Sequence, residues 1–95
     1  MAEHVEDLTV NYEEDGVQLV KETDKEILSK GAWVTILFKY QDYDKKNEEY
    51  GAEKFTIRRY QKRNGQYQAK SKFNISSAAQ ARKLIDTLER WTQKN

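Results

Sequence analysis

The sequence has no cysteine, no proline, one histidine and four glycines. Without cysteine there can be no disulfide, no thiolate metal site and no cysteine nucleophile. His4 has no second histidine or cysteine to join it as a metal ligand or catalytic partner, and no Gly-rich phosphate loop is present. No stretch approaches the ~20 apolar residues that span a bilayer; the longest markedly apolar run covers residues 32–38. The acidic start does not read as a signal peptide. A soluble cytoplasmic protein is expected, nucleoid-associated if bacterial. In the basic half only Asp86 and Glu89 carry carboxylates, three residues apart on one helix and solvated. Asp42, Asp44, Glu48 and Glu49 are interrupted by Lys45 and Lys46 and lack calcium-loop spacing. No enzyme, metal, cofactor, membrane or small-molecule substrate is therefore expected.

At 95 residues the chain has the length of a single domain. Charged residues make up 35% and hydrophobic ones 37%, against roughly 25% and 45–50% in an ordinary globular domain. A 12% aromatic share supplies bulk for a core. Domains of this size bury only about 60–65% of their unfolded surface, so either modest stability or an oligomer that adds buried area is expected. The net charge of +1 conceals a sharp division. Residues 1–53 hold 14 acidic and 6 basic side chains, a balance of −8; residues 54–95 hold 11 basic and 2 acidic, a balance of +9. Either the basic half meets a polyanion, or the two halves neutralise each other on folding.

Residues 1–7 read as a frayed start. Leu8, Val10 and Tyr12 then alternate with polar residues, Asp15-Gly16 favours a tight reversal, and Val17, Leu19 and Val20 follow, which predicts an acidic β-hairpin. Residues 21–31 are charged, end at Gly31 and read as a loop anchored by Ile27 and Leu28. Residues 32–40 form the strongest strand, with Val34, Ile36, Phe38 and Tyr40 on one face and Trp33, Thr35 and Leu37 on the other. One helix covers only one of these faces; the second protomer or the N-terminal hairpin must cover the other. Residues 41–53 read as a mobile polar loop.

Strands over residues 55–63 and 66–75 flank Asn64-Gly65, the pair preferred in a two-residue type I′ turn. Ser77 and Gln80 then have the form of a capping box. Behind them Ala78, Ala81, Leu84, Ile85, Leu88 and Trp91 recur at helical spacing. Docked on the core, the large ones would contribute roughly 1.5–3 kcal/mol each; Leu84, Leu88 and Trp91 are also candidates for a dimer interface. The expected fold is α+β: a curved antiparallel sheet of four to five strands followed by one C-terminal amphipathic helix. It forms a single domain over residues 1–95, with the acidic hairpin and loop at 8–31, the sheet and helix at 32–92, and a homodimer as the assembly.

In the second hairpin, basic and aromatic residues interleave: Lys54, Arg58, Arg59, Tyr60, Lys62, Arg63, Tyr67, Lys70 and Lys72. Single-stranded nucleic acid calls for this mixture, cations tracking phosphates and rings stacking unpaired bases at ~1–3 kcal/mol each. Arg58, Arg59, Lys62, Lys70 and Lys72 are the candidate phosphate contacts. Tyr60, Tyr67 and Trp33 are either stacking residues or core. Counting from the turn pairs Lys62 with Tyr67, Tyr60 with Ala69 and Arg58 with Ser71. Strict alternation then puts Arg58, Tyr60, Lys62 and Tyr67 on one face and Arg59, Arg63, Lys70 and Lys72 on the other. It also sets Ile57 against Phe73 and Ile75, so a bulge between Ser71 and Phe73 is expected to restore the phase.

Ile57-Arg58-Arg59-Tyr60, a basic segment leading into Ile75-Ser76, and an amphipathic helix directly afterwards occur in an order that resembles the positive cofactor 4 (transcriptional coactivator) family. The resemblance covers roughly residues 32–92. It implies a homodimer of curved sheets closed by helices, single-stranded DNA lying across the sheets, and a role in transcription or in handling melted DNA. It matches Arg58 to the family's arginine and Lys72 to a basic residue before its glycine. The chain departs from the family at Asn74, which replaces that glycine, at Phe73, which replaces a second basic residue, and at Gln61, where an aromatic often follows the tyrosine. The leading expectation is a single-stranded-DNA-binding protein with little sequence preference, with RNA as a possible ligand. The alternative is a homodimeric protein-interaction module that binds no nucleic acid and docks its basic face on an acidic partner or on its own acidic half.

Overall fold

The computed structural model describes residues 3–93. The chain forms a curled antiparallel sheet closed by one C-terminal helix, as its sequence predicts. Strands β1 (Tyr12–Glu14), β2 (Val17–Ser29), β3 (Trp33–Asp44), β5 (Lys54–Arg63) and β6 (Gln66–Ile75) follow the order β1-β2-β3-β5-β6; the short β4 (Glu49–Tyr50) pairs with the far end of β3. Both two-residue reversals are where the Asp-Gly and Asn-Gly pairs place them. Asp15 and Gly16 take φ of 54° and 80°, Asn64 and Gly65 take 52° and 79°, and such left-handed backbone is what a type I′ turn requires.

Three expectations change. Residues 21–31 are not a loop: β2 runs through to Ser29, and the residues after Tyr40 continue β3 as far as Asp44. Two bulges hid β2. Thr23 and Leu28 are extra residues against β3, and each shifts the alternation by one, so Val20, Lys25 and Ile27 share a face without a period of two. The start is also not frayed where it can be seen. Residues Val5–Asp7 form one 3-10 turn, and Val5, Leu8 and Val10 are buried. Met1 and Ala2 lie outside the described residues.

One face of the sheet, here the strap face, carries Val34, Ile36 and Phe38 of β3, all fully buried, together with Tyr60 and Tyr67; the N-terminal segment seals it with Val5, Leu8 and Val10. Of the two covers expected for this face, the N-terminal part of the chain is the one present, but Leu8 and Val10, expected in the hairpin's first strand, precede β1 and cover the sheet together with Val5. The opposite face carries Leu37, Phe55, Ile57 and Ile75 and looks toward helix α1 (Ala78–Thr92). Ser77 Oγ accepts from the Gln80 amide at 3.1 Å, and Gln80 Oε1 accepts from the Ser76 amide at 3.1 Å, one residue earlier than a strict capping box. The helix docks far less than its stripe predicts. None of its residues is buried; Leu88 is 48% and Trp91 65% exposed. An apolar groove of about 470 Å³ remains open between it and the sheet.

Candidate nucleic-acid interface

A bulge does restore the phase, but it falls at Lys70, ahead of the span between Ser71 and Phe73 where it is expected. Tyr60 pairs with Ala69 and Lys62 with Tyr67 as counted from the turn, but Arg59 pairs with Ser71, leaving Lys70 as the extra residue. Everything beyond it changes phase. Ile57, Phe73 and Ile75 come to one face, as their apolar character requires, and Lys72 moves to the other. Lys72 therefore sits directly opposite Arg58, on the strap face, not beside Arg59 as strict alternation predicted.

Arg58, Ala69, Lys70, Ser71 and Lys72 line a shallow depression of about 200 Å³. Arg58 is held from below: its Nε donates to Thr56 Oγ1 at 3.1 Å, and the same hydroxyl donates to Asn74 Oδ1 at 2.7 Å. Thr56 is fully buried, so the guanidinium is anchored on a fixed point. Asn74, at the departure from the family's glycine, takes part in regular pairing with Thr56 and has no left-handed φ. Nothing in the sequence flags Thr56 and Asn74 as positioning residues.

Among the described residues, the ion pairs are Lys30–Glu6, Lys39–Glu53 and Lys54–Asp42. Arg58, Arg59, Lys62, Arg63, Lys70 and Lys72 take part in none of them. Lys54 is the exception among the candidates. Its ammonium lies 2.9 Å from Asp42, whose hydrogen bond and charge raise its pKa above the ordinary lysine value. The loop acids are similarly engaged: Asp44 accepts from the Asn47 amide and side chain, and these bonds lower its pKa.

The aromatic candidates fall in two places. Tyr60 and Tyr67 are on the strap face, but only 6% and 7% exposed beneath the N-terminal segment. Burial pushes the Tyr60 phenol up from its ordinary pKa, with Arg58 opposing. Lys62 Nζ stands 5.3 Å from the centre of the Tyr67 ring. Trp33 is on the helix face, 39% exposed, with the Arg59 guanidinium 4.5 Å above its ring. The residues named as one interface are thus divided: Arg58, Tyr60, Lys62, Tyr67 and Lys72 belong to one face, Arg59 and Trp33 to the other, Lys70 to the bulge, and Arg63 to the strand end beside the turn.

Comparison with protein-family models, curated proteins and solved structures finds no match.

Proposed function

We propose that this chain is a non-enzymatic, cytoplasmic nucleic-acid-binding protein of the positive cofactor 4 type, holding single-stranded DNA by its phosphates with little sequence preference and acting in transcription or on melted DNA. The observation that carries the reading is the pair Arg58 and Lys72. Like charges directly opposite on adjacent strands destabilise a sheet, and these two have no counter-ion among the described residues. A local rule broken without internal compensation is typical of a functional site, and a phosphate between the two cations removes the repulsion. With Lys70 in the same depression and Lys62 and Arg63 further along the hairpin toward the turn, about five phosphates can be neutralised. Log affinity for an oligonucleotide is then expected to fall with log salt at a slope near −3.5 (~0.7 per phosphate). Fluorescence polarisation over a salt series measures it; no binding at low salt would overturn the reading.

The same reading makes the protein a homodimer through the helix face. Ile85, Leu88 and Trp91 are unshielded in a single chain, beside an open apolar groove, an exposure that marks an association surface. Sedimentation is expected at twice the chain mass, with Leu88→Asp reducing it to one while the circular dichroism spectrum stays unchanged. A wild-type monomer at micromolar concentration would refute the dimer. The unshielded helix also favours a second reading, a protein-interaction module without nucleic-acid binding. In that case the dimer forms and the oligonucleotide assay is silent.

A further inference from the structure

The buried tyrosines conflict with base stacking unless what covers them can leave. We propose that residues 3–10 are a built-in competitor, an acidic strap that occupies the stacking surface of Tyr60 and Tyr67 and lifts when single-stranded nucleic acid binds. This inference rests on the nucleic-acid reading above.

The way the strap is held supports it. Residues 3–10 join no strand, and among the described residues their only backbone-to-backbone hydrogen bonds lie within the single turn, from the Asp7 amide to the His4 carbonyl and from the Leu8 amide to the Val5 carbonyl. Attachment is by side chains. Val5, Leu8 and Val10 rest on the apolar face. Lys25 Nζ clamps the turn by donating to the Glu6 and Leu8 carbonyl oxygens, both at 2.7 Å. Thr9 Oγ1 donates to the Glu22 carboxylate. Such a segment detaches without breaking a single rung of the sheet, and what its opening costs is the apolar face it covers.

Its chemistry and place match the ligand's. Glu3, Glu6 and Asp7 alternate with apolar Val5 and Leu8, giving negative charge next to surface that covers a ring, as a nucleotide does. An open cleft of about 630 Å³ at the strap's edge is lined by Asp7 and Thr9 on one side and by Tyr67 and Ala69 of the hairpin on the other. Ala69 also lines the Arg58–Lys72 depression, so cleft and depression are neighbours on the hairpin. A strand following the cations thus runs up against the strap. Competition for one surface lowers apparent affinity by the fraction of molecules with the strap open. Duplex DNA offers no unpaired base to stack and gains nothing from opening.

The test uses the full chain with a thymidine oligonucleotide and a duplex of equal length, in wild type, Leu8→Ser and Lys25→Met. Loosening the strap is expected to tighten single-strand binding at least fivefold and leave duplex binding unchanged. In wild type, saturating oligonucleotide is expected to speed hydrogen exchange at the Asp7 and Leu8 amides. Binding that emerges only in the loosened variants supports the strap as well. Equal or weaker single-strand affinity in both variants, with exchange at Asp7 and Leu8 unaltered, overturns it while the nucleic-acid reading stands. Silence in all three proteins at low salt overturns that reading itself. If Leu8→Ser fails to fold, Lys25→Met and the wild-type exchange decide.

Discussion

Phe38→Ala is expected to leave the chain largely unfolded near physiological temperature. Phe38 is the largest fully buried side chain and lies at the centre of the strap face. On its own strand it is flanked on that face by Ile36, also fully buried; across the ladder it meets Thr56 and Lys25. Removing a buried phenylalanine ring costs about 3–5 kcal/mol, part lost transfer energy and part residual cavity. Domains have only ~5–15 kcal/mol in total, and one this small lies toward the lower end. Urea unfolding followed by circular dichroism is expected to show the midpoint fall by roughly 2 M, for a slope of about 1–3 kcal/mol per molar. A loss under ~1 kcal/mol would mean that the strap collapses into the space, and that this face is not a rigid core.

The double variant Arg58→Ala/Lys72→Ala is expected to separate binding from folding. Two phosphate contacts at about 1 kcal/mol each correspond to roughly a thirtyfold loss of affinity for a single-stranded oligonucleotide at low salt. The salt slope should flatten by ~1.4. Stability should stay level or rise, because the variant removes a repulsive cross-strand pair while Thr56 keeps its bond to Asn74. Lys54→Ala serves as the contrast. Its ammonium is engaged by Asp42, so the slope is expected to remain unchanged. A double variant that melts at a much lower temperature and binds as before would assign the pair a structural role.

Where one local rule applied at a time, the fold was legible. Asp15-Gly16 and Asn64-Gly65 located both reversals, Ser77 located the helix start, and apolar Ile57, Phe73 and Ile75 required a bulge. The misreadings share a physical origin. A bulge is a one-residue insertion into a ladder, and a period of two carries no information across it; Thr23 and Leu28 made the part of β2 from Lys21 to Ser29 look like a charged loop. Burial was the other gap. Val5, Leu8 and Val10 are only three apolar residues among acids, too few to announce that they would seal a sheet. The tyrosines beneath them look the same in sequence whether bare or covered. Lys25 carried no signal, because its task is to bind carbonyl oxygens of a segment that only the fold brings near.

The position of β6 has one more consequence. It is the last strand in the sheet order, ten residues long, with no neighbouring strand along its outer side among the described residues. Bare edges of that length template aggregation, and lysines and bulges are the usual safeguards. Lys70 and Lys72 provide both on this border. Neutralising them to silence an activity would thus remove a guard as well, and charge-stripped forms of this chain should grow sticky in the test tube before they lose their shape.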